Sequence, residues 1–173
     1  MRKLGIVAFC VVAALLWGCQ RSPNQVVDKV LVDFGVREKP EGYVSTRDTV
    51  FAKMPAVAKT EIKRLNQEAL QGEIKFQEER GLKGKYYKEV KVYEDFYPAD
   101  VQPASKSTPQ ERSYYGYIEY EYRIHQGVPK SNRIEAEAEP ATIPTDQRGR
   151  ESYRYTFSPT GAWDGAKGRK TNR

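Results

Sequence analysis

The stretch SYYGYIEYEYRIHQG, residues 113–127, decides the fold of this chain because its side chains alternate in character. One side is apolar or aromatic and is made of Tyr114, Gly116, Ile118, Tyr120, Tyr122 and Ile124. The other side carries the charged residues Glu119, Glu121 and Arg123. A period of two with one charged face is typical of a strand in an antiparallel sheet that water covers on one side. The stretch therefore predicts a strand with one face toward a core.

Three other segments, at residues 86–98, 133–139 and 151–157, show the same period and predict further strands. Their inward positions are Val90, Val92 and Phe96 in the first, Ile134, Ala136 and Ala138 in the second, and Tyr153, Tyr155 and Phe157 in the third. Segments rich in proline or glycine separate the strands along the chain. We therefore predict an antiparallel meander of about four strands.

Upstream of the strands, the period changes to that of a helix. From Pro55 onward, apolar positions recur at steps of three and four, at Ala58, Ile62, Leu65, Ala69, Gly72 and Phe76. Proline is tolerated in the first turn of a helix and Gly81 can end one, so we predict a continuous helix over residues 55–80. Glycine costs about 1 kcal/mol inside a helix, and a break at Gly72 would leave residues 73–79 as a strand. Residues 22–35 predict a shorter helix, and residues 36–53 predict a loop.

The predicted elements define an α+β fold with N-terminal helices packed on an antiparallel meander sheet. The apolar stripe of the long helix needs a partner, and the apolar face of the sheet is the only large one available. This element order is similar in shape to cystatin and NTF2-like folds, a likeness of architecture that does not determine function. We assign residues 25–165 to a single domain. Residues 166–173 carry four basic and no acidic residues and predict a disordered basic tail.

The N-terminus has the two parts of an export signal. Arg2 and Lys3 form a positive head, and an apolar run extends from Leu4 to Trp17. Because a membrane-spanning helix needs about 20 apolar residues, the run is too short to span a bilayer. A charged head before an apolar core of this length predicts a secretory signal peptide, which is removed from the mature protein.

The end of this signal, Leu16, Trp17, Gly18 and Cys19, resembles the lipobox of bacterial lipoproteins. The resemblance covers residues 1–20 and implies that residues 1–18 are a signal peptide and residues 19–24 a lipidated tether. It also implies that Cys19 receives a diacylglyceryl group and that its new amine is acylated, for example with palmitate. Gln20, in the position where aspartate favours inner-membrane retention in that family, implies the periplasmic face of the outer membrane. The remaining cysteine, Cys10, would be lost with the signal.

Few residues of the chain suit catalysis, metal binding or nucleic-acid binding. His125 is the only histidine, and Cys19 would be consumed by lipid, so we expect no metal site, no cofactor and no thiol or histidine catalysis. The net charge of +6 could suit nucleic acid, but the charges are interspersed and export argues against that partner. We therefore expect a protein that is not an enzyme.

Nine of the twelve tyrosines fall between residues 86 and 122, which suggests a binding surface. Large amphipathic rings favour interfaces, although tyrosine also simply favours strands. The candidate surface is the polar side of the strand quoted above, with Tyr115, Tyr117, Glu119 and Glu121. We expect a membrane-anchored, non-enzymatic domain that contacts an envelope protein or a cell-wall polymer.

Two alternative functions remain open at the level of sequence. The first is a small-ligand carrier with a pocket between helix and sheet, for which a cavity of about 300 Å³ would be support. The second is a carboxylate-dependent hydrolase of cell-wall glycan, using Glu119 with Glu121 or Glu135 with Glu137. On strands, each such pair would lie about 6.8 Å apart on one face, a separation that suits glycosidic cleavage.

Overall fold

The computed structural model describes residues 28–29, 31–33, 35–78, 84–104 and 113–172. Its helices are α1 (Thr46–Ala69) and α2 (Arg133–Ala138), and residues 28–29 and 31–33 are also helical. Its strands are β1 (Glu73–Gln77), β2 (Lys85–Pro103), β3 (Tyr114–Gln126), β4 (Ile143–Phe157) and β5 (Arg169–Thr171). The predicted signal peptide, the lipobox with Cys19 and the tether lie outside the described residues. Within the described part of the chain, no helix has the length and apolar character needed to cross a membrane.

The strands form one antiparallel sheet in the order β1-β2-β3-β4-β5, and the sheet curls into a half-barrel. Helix α1 packs on its inner face, mainly against β2 and also against β3. We call the opposite side of the sheet the outer face. The predicted α+β class and the antiparallel meander are confirmed, with five strands instead of about four.

The boundaries of α1 differ from the predicted 55–80 at both ends. The helix begins at Thr46 because the Ser45 hydroxyl accepts a hydrogen bond from the Asp48 amide at 3.1 Å, and Asp33 accepts the Thr46 amide at 2.9 Å. Pro55 therefore lies inside the helix, and part of the predicted loop is helical. Gly72 has φ +61, in the left-handed region where glycine is favoured, so the chain leaves the helix and continues as β1.

Residues Arg133–Ala138 are helical, so the strand predicted over residues 133–139 is wrong. Asn132 caps the segment by accepting the Ile134 amide at 2.9 Å, and only Ala136 is buried. Ile134 is 74 % exposed, which a strand with an apolar inner face would not allow. Alternating alanine and glutamate suits a short helix as well as a strand, because both residues are good helix formers.

The C-terminal segment, predicted to be a disordered tail, instead forms β5 against β4, with Lys170 opposite Tyr153. Two residues of helix α1 contact the segment that leads into this strand. Glu61, buried in the helix, accepts the Gly168 amide at 3.3 Å, and Lys167 forms an ion pair with Glu68. Lys167 thus has a partner that the local sequence does not reveal.

The core lies between α1 and the inner face of the sheet. Its buried residues are Val50, Met54, Val57, Ala58, Tyr93, Val101, Tyr114, Ile118, Tyr120, Tyr155 and Phe157. The inward alternation predicted for β3 is confirmed at Tyr114, Ile118 and Tyr120. In β2 it is confirmed at Phe96, which packs against the core, but not at Val92, which lies opposite Arg123. Tyr93 faces the core instead, opposite Tyr122. A register shift between Tyr93 and Asp95 then changes the alternation.

Candidate functional site

The four residues of the predicted binding surface all lie on the outer face of β3, but they differ in accessibility. Tyr117 is only 9 % exposed, so its ring is not available to a partner in this structure. Tyr115 and Glu119 are half-buried. Glu121 is half-buried and forms ion pairs with the guanidinium groups of neighbouring β4. The structure therefore brings the predicted residues onto one surface, and Tyr115 is the tyrosine among them that remains accessible.

Two tyrosine–arginine stacks lie on this outer face, with their arginines four residues apart along β4. The guanidinium carbon of Arg154 lies 4.5 Å from the ring centroid of Tyr115, and that of Arg150 lies 5.4 Å from that of Tyr97. Each exposed cation–π contact of this kind contributes about 0.5–1 kcal/mol. We call these two pairs the outer-face stacks. The sequence contains a signal for one of them, because Arg154 occupies an outward position in the predicted strand at residues 151–157, whereas Arg150 lies just before that segment.

Glu121 fixes one of the two stacks. Its carboxylate lies 3.3 Å from the Arg150 guanidinium and 3.9 Å from that of Arg148. Both arginine side chains are more than half exposed, so these ion pairs orient the groups more than they stabilise the fold. Arg150 is thus held over Tyr97 while remaining accessible to a partner.

A pocket of about 280 Å³ opens next to Tyr115, between the outer face and the loop that precedes β5. We call it the arginine pocket. Its polar and aromatic lining consists of Tyr115, Arg154, Thr156, Asp164, Lys167 and Arg169. The register of β4 with β5 places Arg154 directly opposite Arg169, so the pocket has two guanidinium groups at one wall. This juxtaposition was not predicted, since it depends on the pairing of β5.

On the inner face, beyond the end of α1, a buried carboxylate organises a polar cluster. One oxygen of Glu151 contacts the amines of Lys91 at 2.5 Å and Lys170 at 2.9 Å. The other accepts the hydroxyls of Tyr93 at 2.8 Å and Tyr153 at 3.1 Å. We call these five residues the Glu151 cluster. An open groove of about 670 Å³ runs beside it.

The electrostatics of this cluster favour a structural anion over an acid catalyst. Burial by itself would raise the pKa of Glu151, but hydrogen bonds from Lys91, Lys170 and Tyr93 outweigh it and lower the pKa to about 2. Burial raises the pKa of Tyr93 well above its ordinary value, so this hydroxyl stays protonated and donates. A carboxylate that is ionised throughout the physiological range cannot supply a proton as a general acid.

A second pocket, of about 350 Å³, lies between the end of α1 and the first strands of the sheet. Its walls combine apolar and acidic residues, including Ala69, Val90, Ile124, Glu68, Glu73 and Glu89. Gly72 forms part of one wall. Its backbone lies so close to β2 that a β-carbon at this position would be 2.5 Å from the Glu89 carbonyl oxygen. This position and size match the cavity that a small-ligand carrier would need.

The residues considered for glycan cleavage lie in two separate places. Glu135 and Glu137 belong to α2, so the strand spacing assumed for them does not apply. Glu119 and Glu121 keep that spacing on β3, with Glu121 paired to arginines. His125 is half-buried on β3, and its Nε2 atom has no hydrogen-bond partner within the described ranges.

Comparison with known proteins identifies no family for the chain. No protein-family model matches the chain, and a search of curated proteins finds no significant match. What can be inferred about function therefore rests on the outer-face stacks, the arginine pocket and the pocket at the end of α1.

Proposed function

We propose that this protein is a bacterial lipoprotein, anchored through Cys19 at the periplasmic face of the outer membrane, with a non-enzymatic binding domain. In this proposal the outer face of the sheet contacts another envelope component, either a protein or a cell-wall polymer. The observation that carries the proposal is the pair of outer-face stacks, Tyr97 with Arg150 and Tyr115 with Arg154.

The composition and rigidity of these stacks support a contact surface. Tyrosine and arginine are enriched among the residues that contribute most to binding energy at protein interfaces. Tyr97 is 43 % exposed, and the Arg150 side chain is 62 % exposed, so both can be reached. Because regular strands and Glu121 already hold these groups, a partner would order few side chains, and the entropy cost of binding would be small.

Site-specific photo-crosslinking in cells tests the contact surface. A photo-reactive amino acid at Arg148, on the outer face, should give a defined adduct, whereas the same group at exposed Lys63 on α1 should not. Tyr97→Ala should remove the Arg148 adduct while lowering the thermal midpoint of the domain by only a few degrees. An adduct that survives Tyr97→Ala, or one that forms equally from Lys63, would contradict a contact through the outer-face stacks.

The anchor is tested separately. Wild-type protein should incorporate labelled palmitate and sediment with membranes, and Cys19→Ser should do neither. Cys10→Ser is the matched control, because that cysteine would be removed with the signal peptide. Labelling that persists in Cys19→Ser would show that the lipobox resemblance is misleading.

A second candidate function, a small-ligand carrier, is supported by the pocket of about 350 Å³ at the end of α1. Pockets of roughly 300–1,000 Å³ suit small ligands. Native mass spectrometry of the detergent-purified chain should then detect a co-purifying small molecule, and Ile124→Trp should displace it by filling the pocket. Failure to detect any bound molecule under conditions that preserve the fold would count against this candidate.

A further inference from the structure

Two arginines of neighbouring strands face each other in the arginine pocket. Arg154 of β4 and Arg169 of β5 are directly opposite in the antiparallel register. Side chains in this relation have β-carbons about 4.5–5.5 Å apart, and like charges placed there destabilise the pairing. The pairing therefore leaves a repulsion at one wall of a pocket, where a bound anion would relieve it.

Neither arginine is neutralised within the described ranges. No carboxylate there forms an ion pair with Arg154 or Arg169, in contrast to Arg150 on the same face, which is paired with Glu121. Arg154 instead lies over the Tyr115 ring. Both guanidinium groups thus retain donors and charge that the fold does not use.

The other charged residues of the pocket offset the positive charge of the two arginines only in part. The Lys167 amine is committed to Glu68 on α1, so it adds little free charge. The Asp164 carboxylate accepts the Ala166 amide at 2.9 Å and adds one negative charge to the lining. Among the described residues, two guanidinium groups without an ion pair and one carboxylate give the pocket a net positive charge.

We propose that the arginine pocket binds a phosphate group of an envelope component, an inference that rests on the proposed binding function and names the chemistry of its ligand. Guanidinium groups donate hydrogen bonds in planar forks that match oxyanions. One fork occupies both oxygens of a carboxylate, whereas a phosphate has further oxygens for a second fork from the opposite strand. The Thr156 hydroxyl, also in the lining, can donate to the same group.

The volume of the pocket is consistent with this ligand. A water molecule occupies about 30 Å³ in the liquid, so a pocket of about 280 Å³ holds a phosphate together with part of the molecule that carries it. The phosphate could belong to a lipid headgroup or to a soluble phosphorylated molecule. Both sources offer a phosphate group to the two arginines. They differ in whether that phosphate lies at a membrane surface or in solution.

Isothermal titration calorimetry of the full chain in neutral detergent micelles tests the proposal. The probes are inorganic phosphate, acetate, and micelles doped with either phosphatidylglycerol or phosphatidylcholine. We expect saturable binding of inorganic phosphate, of phosphatidylglycerol micelles or of both, with acetate and phosphatidylcholine weaker. A preference for phosphatidylglycerol at equal phosphate concentration assigns the site to a lipid headgroup, and a preference for inorganic phosphate assigns it to a soluble phosphorylated ligand.

Four variants distinguish phosphate binding at this site from the general electrostatic attraction of anions to a basic protein. Arg154→Gln and Arg169→Gln should each weaken binding about tenfold or more, because each removes hydrogen bonds between charged groups. Arg133→Gln removes the same charge on α2, which packs against β1 and β2, and should change affinity less than about twofold. Asp164→Asn should strengthen binding by removing a like charge. Unchanged thermal midpoints will show that each variant is folded.

Three results would overturn the inference: no saturable binding of either phosphate probe, equal affinity for acetate, or the same loss in Arg133→Gln as in Arg154→Gln. These results are distinct from a failure of the proposed function. If phosphate does not bind but the Arg148 adduct still depends on Tyr97, the outer face remains a contact surface and only its phosphate chemistry is wrong. If phosphate binds and no adduct forms, the macromolecular contact is wrong.

Discussion

Replacing Glu151 with glutamine should destabilise the protein at neutral pH and have little effect in acid. Glu151 is 8 % exposed, and its carboxylate is contacted by Lys91, Lys170, Tyr93 and Tyr153. Glutamine keeps an oxygen that can accept the tyrosine hydroxyls, but it removes the negative charge between two ammonium groups. The lost interaction is therefore chiefly that with the two lysines.

The pKa of Glu151 sets the magnitude and the pH range of this effect. Its value falls from 4.5 to about 2 in the folded protein, which corresponds to at most about 3 kcal/mol of stability. Because the folded-state pKa lies below the unfolded-state value, this contribution is fully present above pH 4.5 and is lost as the pH falls toward 2. Lys91 and Lys170 are partly exposed and can turn toward water, so we expect Glu151→Gln to cost about 2 kcal/mol at neutral pH.

Urea unfolding at about pH 7 and about pH 2.5 measures this difference directly. The gap in the free energy of unfolding between wild type and Glu151→Gln should shrink by more than half at the lower pH. At that pH the carboxyl is protonated in the unfolded chain, so folding must release this proton and the charged interaction contributes less. Glu121→Gln is the matched control, because its arginine partners are exposed, and it should cost under about 1 kcal/mol. A gap that is equal at both pH values, or no larger than that of Glu121→Gln, would refute a charged role for Glu151.

Three further changes test how the sheet is held together, each by the free energy of unfolding in urea. Asn66→Ala should cost about 1–3 kcal/mol, because this side chain accepts the Tyr93 amide at 2.7 Å and donates to the Tyr93 carbonyl at 3.0 Å. Gly149→Ala should cost about 1–3 kcal/mol, because the new β-carbon would lie 2.4 Å from the Tyr122 hydroxyl oxygen. Deletion of residues 166–173 should cost about 2 kcal/mol or more, because β5 and Lys170 are lost with them.

Each of these changes has a comparison that separates the stated cause from a general effect. Gln67→Ala alters the exposed neighbour of Asn66 and should be nearly neutral. Gly127→Ala places a β-carbon no closer than 3.5 Å to its neighbours and should be tolerated better than Gly149→Ala. A deletion of residues 166–173 that leaves stability unchanged would restore the idea of a disordered tail.

Local periodicity predicts much of the fold because it records which face of each element is buried. The alternation in residues 114–124 predicts β3 with its inner face, and the apolar steps after Pro55 predict the side of α1 that meets the sheet. Prediction from local periodicity fails for short segments. In residues 133–139, alanine and glutamate alternate in a way that suits a helix and a strand equally.

The candidate site could be predicted only in part, for a related reason. Tyr115 is identifiable as an outward aromatic residue of a strand, and it does line the arginine pocket. Arg154 and Arg169 are 15 positions apart, and only the pairing of β5 with β4 places them opposite each other. Tyr117 shares the pattern of Tyr115 but is buried, which periodicity alone cannot distinguish.

By itself, the sequence determined the class of fold, the central strand and the polarity of that strand's faces. Its resemblance to a lipobox also predicts the location of the protein in the cell envelope. Those properties depend on residues close together in the chain. The order of the C-terminus and the arginine pocket were decided only by tertiary structure, and the start of α1 combines the local Ser45 cap with a hydrogen bond to Asp33. Each depends on a partner distant in sequence, as when Asp33 accepts the Thr46 amide or Glu61 accepts the Gly168 amide. A hydrogen bond between distant segments does not change the local pattern of apolar and polar residues in either segment, so that pattern cannot predict it.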